Sequence, residues 1–586
     1  MTPPDTDRTT ALPRDAWQGL WLGFALFLPY AVASLLRSLA SPYVVQDDAR
    51  QHVFWTVRFV DPGYFPGDLI ADYFQSVAPL GYRLLYEGAA AAGLDPLLFS
   101  KLLPVALGLL ATYYCYRLAY ALWPSAAGAV LATVFLNLMI WSADDVASGT
   151  PRAFVYPLLL ACLYYLRAGR TLPLLATLAL QGIFYPQGLL LSLGVLALQV
   201  VRWDGWRPSL QRDRGVLVRA ALGIAVGAAV LVPFALASSQ YGPVVSRAIA
   251  RTLPEFLQGG RSEFFSDNWL NIYLGGSHRG SLWPIGLKPG LGIGLLVLAF
   301  GLSRNRRRFD AAGAAPDLRL LWEVLAVSLV LYTLAHVLLF KLHLPSRYTS
   351  HTLRIVLAVV AGQSAAWFLQ ASRREAAAGG WKAAARGLGS VQGVALAALL
   401  AYPLVKAGMG RLADDLRYRT GETPGLYEAL SREPLDARVA TLSWQGNYVP
   451  ALARRAVLTA REYAIPYHLG YFREFERRVR ATIEAQYTDD PAVLAGFVTT
   501  YGVSHFLVDR NAFDAAYLEP SARNRWFTQY AEETAAAAAS LRADRQPLVA
   551  RLAPSCTVWK DAGVSLVSAR CLVERLQGTK ARVGSG

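Results

Sequence analysis

Long apolar runs separated by short polar segments set the pattern of this chain. They fall at about 17–38, 98–121, 126–141, 153–166, 173–201, 216–238, 285–303, 320–341, 352–371 and 389–406. Runs of this length exceed the strands of a soluble core and approach the ~20 residues a helix needs to cross a bilayer. They predict a polytopic α-helical membrane protein, since only helices and closed barrels can span lipid with every backbone group satisfied. After 406 the pattern changes. Charges are spread throughout, apolar stretches shrink to strand length in "ARVATLSW" and "VSHFLVDR", and helical stretches surround "HLGYFREFERRVRATIEAQY" and "AEETAAAAASLRAD". The expected organisation is an N-terminal tail over 1–16, a transmembrane domain over 17–406 and a soluble α/β or α+β domain over 407–586, with the closing "GTKARVGSG" disordered.

Arginine orients the spans. The clusters Arg167 and Arg170; Arg202, Arg207, Arg212, Arg214 and Arg219; Arg304, Arg306, Arg307 and Arg308; and Arg373, Arg374, Lys382 and Arg386 mark four cytoplasmic loops. Two of them flank the run 173–201, so the chain there crosses twice or re-enters, and the Tyr185-Pro186-Gln187 break at its middle supplies the turn. Counting two crossings there gives eleven in all, with a cytoplasmic N-terminus. Regions 39–97, 142–152, 239–284, 342–351 and everything after 406 then face outward. Arg37 at the end of the first run, and the many spans that follow, speak against a cleaved signal.

Composition agrees with this class: of 586 residues, 54% are hydrophobic and 17% charged. The net charge of +16 suggests nucleic acid at first, but the densest basic clusters lie where membrane topology requires them, and no nucleic-acid partner is expected. Cys115 and Cys162 fall inside predicted helices, whereas Cys556 and Cys571 lie close together in the tail and form a disulfide candidate where the compartment oxidises.

Three outward loops carry candidate chemistry. In the first, Asp47 and Asp48 stand just after the first span. Asp48, with Gln51 three residues on and Pro42 upstream, has the form of a helix N-cap, and His52, Trp55 and Phe59 would share one helix face lying along the membrane surface. A second acidic pair, Asp144 and Asp145, precedes Arg152. Paired carboxylates brought to one side of a membrane suit an enzyme in which one acts as general base while others orient substrate or hold a divalent cation, Mg2+ or Mn2+, through Asp48, Asp144 and Asp145. In the third loop, "FKLHLPSRYTSHTLR" gathers Lys341, His343, Arg347, His351 and Arg354, and a planar guanidinium with added point charge fits a phosphate or pyrophosphate at the membrane surface. The long loop 239–284 reads as a lid or as packing against the external domain. Glycines outside strand-then-helix contexts provide no nucleotide-binding turn, so neither a cofactor nor a nucleotide-sugar donor is expected.

The Asp47-Asp48 pair after the first span, the aromatic-rich loop behind it, Asp144-Asp145 and the basic "LPSRYTSH" loop resemble the GT-C fold of membrane glycosyltransferases. That group includes protein O-mannosyltransferases, the aminoarabinose transferase of lipid A and the oligosaccharyltransferases. The resemblance covers roughly 17–406, and the "WWDYG" sequence of the oligosaccharyltransferases is not present. It implies transfer of a sugar, usually with inversion, from a polyprenyl-phosphate or polyprenyl-pyrophosphate carrier to a glycan, lipid or protein acceptor outside a bacterial inner (plasma) membrane. Asp47 or Asp48 would be the base; Arg347, with His343, His351 or Lys341, would neutralise the leaving phosphate; Asp144 and Asp145, near Arg152 and His52, would orient the acceptor or bind a metal. Two alternatives carry different expectations. A transporter or flippase for a lipid-linked or anionic solute would place ionisable groups near the bilayer midplane. In a non-catalytic assembly protein the acidic and basic loops would not converge.

Overall fold

The computed structural model describes residues 12–142, 145–204, 207–236, 239–274, 279–284, 287–304, 318–519 and 525–583. Every apolar run corresponds to helix. In chain order these are α1 (Arg14–Leu39), α2 (Pro96–Leu122), α3 (Ala126–Ile140), α4 (Val155–Arg167), α5 (Thr171–Phe184), α6 (Pro186–Gln199), α7 (Arg214–Leu236), α8 (Pro289–Arg304), α9 (Arg319–Val337), α10 (Ser346–Leu388) and α11 (Val391–Gly408). By length and composition, six among the described residues can cross a membrane: α1, α2, α7, α9, α10 and α11. The run 173–201 is two helices, α5 and α6, of 14 residues each, or roughly 21 Å at 1.5 Å per residue. They break at Tyr185, where Pro186 opens α6 with its missing N–H at the first helical position.

The helices meet through small residues and a few polar bonds, as lipid-embedded helices do. A Cβ on Gly362 of α10 would lie 2.4 Å from the backbone nitrogen of Ala132 on α3, so only glycine permits this approach. Asn137, buried on α3, donates to Thr112 Oγ1 of α2 at 2.9 Å and accepts from Trp141 Nε1 at 3.1 Å.

α10 differs from the expected run. It begins six residues earlier, at Ser346, and continues through the arginine-rich segment after it to Leu388. Arg347, His351 and Arg354 thus stand on its first three turns at spacings of four and three, on one helical face rather than in a loop.

Nine short strands complete the described structure. β1 (Val44–Gln46) pairs antiparallel with β4 (Tyr418–Thr420), joining the segment after α1 to the segment after α11. β2 (Val201–Asp204) and β3 (Arg207–Leu210) form a hairpin. The C-terminal region holds a five-stranded mixed sheet of β5 (Arg438–Thr441), β6 (Ala456–Val457), β7 (His505–Asp509), β8 (Thr557–Lys560) and β9 (Val564–Ser568), in the order β6-β5-β7-β9-β8. β5 pairs parallel with β6 and β7, and β9 antiparallel with β7 and β8. The expected helices appear as Leu469–Tyr487 and Ala531–Arg542. Cys556 and Cys571 are disulfide-bonded. The last helix, Ala569–Val583, runs through most of the segment expected to be disordered.

Segment 239–274 is tied to the C-terminal region. Val245 N donates to Tyr467 O at 2.9 Å and Gly470 N to Tyr241 O at 2.7 Å, and Phe256, Phe264, Leu339, Phe340 and Leu469 share one buried cluster. This is the packing alternative of the two expected for 239–284.

Candidate functional site

Asp47 and Asp48 leave β1 already constrained. Asp47 N donates to Arg417 O at 3.2 Å, continuing the ladder begun by β1 and β4. The expected cap does not form. Asp48 occupies the N-cap position of the four-residue helix Ala49–His52 but makes no side-chain cap bond; Gln46 Oε1 instead accepts from Asp48 N and Ala49 N at 2.8 and 3.2 Å. Gln51 is likewise diverted, its amide donating to Glu462 O. With Gln46 satisfying the helix start, both carboxylates are available for other partners. The surface-lying face is also corrected. Trp55 is 1% exposed, and His52 packs edge-on to Phe74 with ring centroids 5.5 Å apart, because residues 41–91 fold under the C-terminal region.

The two aspartates pair with different arginines, and Asp47 also has Arg419 Nε at 3.5 Å from Oδ1. Arg50 donates to Asp47 Oδ1 at 2.7 Å and to Glu462 Oε2 at 2.9 Å, and Arg261 pairs with the other oxygen of Glu462. Burial favours a neutral Glu462, but Arg261 and Arg50 outweigh it and hold the carboxyl below its ordinary range. Asp48 pairs with Arg152, whose Nε lies 3.3 Å from Asp145 Oδ1. Asp145 Oδ2 accepts from Arg354 at 2.7 Å and from Tyr156 OH at 2.9 Å, and His351 Nδ1 lies 3.2 Å from the same hydroxyl. Burial pushes the Asp145 carboxyl up, and Arg354, with His351 and Tyr156, outweighs it and keeps it ionised. An ionic chain therefore runs Asp48–Arg152–Asp145–Arg354 through three segments far apart in sequence.

Arg347, one turn before His351, is half-buried and meets no carboxylate among the described residues. Its field is felt across the site. Burial first, then Arg347 and Arg279, push His343 down to about 3; burial, then Arg261 and Arg347, push His52 down to about 4. Both imidazoles are neutral at pH 7. Arg279 donates to Tyr467 OH and to Arg261 O, each at 3.2 Å, and also meets no carboxylate among the described residues. The surroundings of Arg347 thus carry surplus positive charge, and the buried Tyr185 OH and His351 Nε2 have no hydrogen-bond partner among the described residues.

The structure thus brings together Asp47, Asp48, Asp145, Arg152, His52, His343, Arg347 and His351. Lys341 is exposed, with no side-chain bond to this group among the described residues. Asp144 lies outside the described residues. Glu462, Arg50, Arg261, Arg279 and Tyr185 join the site without having been expected; only Tyr185 had a signal, the helix break it caps.

Among the described residues, Asp48 and Asp145 do not fit a divalent cation between them. No three His, Cys, Asp or Glu side chains among them converge on one point, and the Arg152 guanidinium fills the space between Asp48 and Asp145.

Neither a protein-family model nor a curated protein sequence matches the chain. Solved structures do. The Archaeoglobus fulgidus oligosaccharyltransferase tethered with an acceptor peptide containing the NVT sequon aligns with a TM-score of 0.50 at 12% identity, over 88% of this chain and 72% of that one. The chain has the GT-C fold. The apo form of the same oligosaccharyltransferase gives a TM-score of 0.48 at 12% identity, over 85% and 70%. ArnT from Cupriavidus metallidurans bound to undecaprenyl phosphate gives 0.42 at 14%, over 95% and 98%. In this GT-C fold the ionic chain from Asp48 to Arg354 lies among the loops that follow α1 and α3 and the first turns of α10.

Proposed function

We propose that the protein is an integral membrane glycosyltransferase that moves a sugar from a polyprenyl phosphate or pyrophosphate to an acceptor on the extracytoplasmic side, with inversion. The observation that carries this is that Arg152 joins Asp48 to Asp145 while the charge of Arg347, a guanidinium meeting no carboxylate among the described residues, is felt at both Arg152 and Asp145. That convergence also runs against the assembly alternative, which required these loops to stay apart. The GT-C likeness supports it, since one neighbour, an oligosaccharyltransferase, is tethered with an acceptor peptide.

Asp48 is the base in this proposal. Its partner Arg152 belongs to the cluster that includes Arg347, whereas Asp47 is turned to Arg50 and Glu462 and steadies the loop. Asp48 takes the proton of an acceptor hydroxyl as its oxygen bonds the anomeric carbon. The bond from that carbon to the phosphate oxygen breaks, and the phosphate leaves with one more negative charge. Arg347 and Arg279 meet that new charge, and interactions that strengthen as charge develops lower the barrier. His343 and His351, both adjoining Arg347, serve as hydrogen-bonding groups to the phosphate. Eleven crossings with 407–586 outside accord with the arginine distribution and with the Cys556–Cys571 disulfide, a bond of oxidising compartments.

The test supplies a polyprenyl-phosphate sugar together with a cell-envelope fraction containing glycan, lipid and protein acceptors. Wild type should transfer the sugar and Asp48→Asn should not. Equal transfer by the two would overturn the assignment.

A further inference from the structure

We infer that Arg152 stands in place of a divalent cation, so that Asp48 and Asp145 work without metal. This rests on the glycosyltransferase reading of the same site. Two carboxylates from separate loops, both able to ligate a hard cation, point at one place between them. What occupies that place is a guanidinium: Arg152 pairs with Asp48, and its Nε is 3.3 Å from Asp145 Oδ1. The remaining oxygen of Asp145 is taken by Arg354 at 2.7 Å and Tyr156 OH at 2.9 Å. Two arginines thus neutralise two carboxylates, and a dication added there would face two fixed guanidiniums a few ångströms away. Arg347 adds a further positive charge to Arg152's surroundings.

Arg152 is also built in by the local fold. It lies in the 3-10 turn Pro151–Phe154 that leads directly into α4, with Gly149 in the left-handed region at φ 61° turning the chain just before it. A planar fork held there fixes the Asp48 carboxylate in one orientation, the task a metal performs elsewhere. Arg152 is a positioning residue, acting through Asp48.

The test uses the full-length protein in detergent and titrates it with Mn2+ alone, reading free Mn2+ by electron paramagnetic resonance. No sugar donor enters the assay, so its outcome is independent of whether the protein transfers sugar. Wild type should leave the six-line free-ion signal unchanged at tens of micromolar Mn2+. Arg152→Ala, which uncovers two carboxylates, should bind close to one Mn2+, and adding Asp48→Asn should abolish that site. Arg152→Gln serves if the alanine variant loses its folded elution profile. Stoichiometric Mn2+ on wild type would overturn the inference, and so would failure of both Arg152 variants to gain a site.

Discussion

Replacing Asp145 by asparagine removes the charge on which two arginines converge. Asp145 is 4% exposed and Arg354 1%, with Arg354 Nη1 and Asp145 Oδ2 2.7 Å apart. At an effective dielectric of about 20 the attraction at this distance is about 6 kcal/mol, and desolvation of both ions offsets part of it. What remains when the carboxylate is removed is a buried guanidinium that has lost its 2.7 Å charge partner, and such losses run to about 3–5 kcal/mol. Arg354→Leu should cost less, since Asp145 keeps Arg152 at 3.3 Å and Tyr156 OH at 2.9 Å. The double variant should lose less than the sum of the two by about 2–3 kcal/mol, because the loss of this one buried pair is counted once in each single variant. Equilibrium unfolding in mixed micelles of rising sodium dodecyl sulfate content, followed by tryptophan fluorescence, measures all four proteins. Losses that add to within about 0.5 kcal/mol would refute the pairing.

Other outcomes follow from individual sites. Asp48→Asn should lower kcat by roughly 10²–10⁴, the usual range for loss of a general base, and Asp47→Asn by much less; a larger loss at Asp47 in the same transfer assay would reverse the order proposed here. Glu255 is 1% exposed, and burial raises its carboxyl to about 7 from an ordinary 4.5. The folded state therefore holds a proton the unfolded state has lost between those values, so stability should fall by about 3 kcal/mol as pH rises through that window, and Glu255→Gln should flatten the profile in unfolding titrations at pH 5 and 8. Gly362→Leu forces a side chain onto the backbone of α3 and should cost at least about 3 kcal/mol, seen as loss of the folded fraction after solubilisation. Cys571→Ser opens a loop spanning 15 residues and should cost about 3 kcal/mol in chemical unfolding of the same preparation.

The helical frame was legible because long apolar runs have few other structures open to them in lipid, and β5 and β7 because their stretches were short, apolar and rich in β-branched residues. The acidic pairs, Arg152 and Arg347 were legible as charges that a membrane boundary must use or solvate. Their partners were not. Arg50 and Glu462 stand 412 positions apart, and only docking of the C-terminal region onto the first loop joins them. Nothing local marks Glu462 as different from the other acids of the tail. The start of α10 was misplaced because the polar residues of "SRYTSH" read as loop; their spacing is helical, with the polar face turned to a buried site instead of water. Asp48 resembled a cap because the capping pattern does not reveal that Gln46 takes that task first. Lys341 shared a loop with Arg347 in sequence but not the site, since the turn into α10 separates them.

The central claim is that Arg347 holds the phosphate of a lipid carrier. Mass spectrometry of lipids extracted from purified wild type and from Arg347→Ala tests it most directly. A polyprenyl phosphate, bare or glycosylated, should accompany wild type and vanish from the variant. Ordinary phospholipids alone in both, or the same polyprenyl phosphate retained in both, would contradict it.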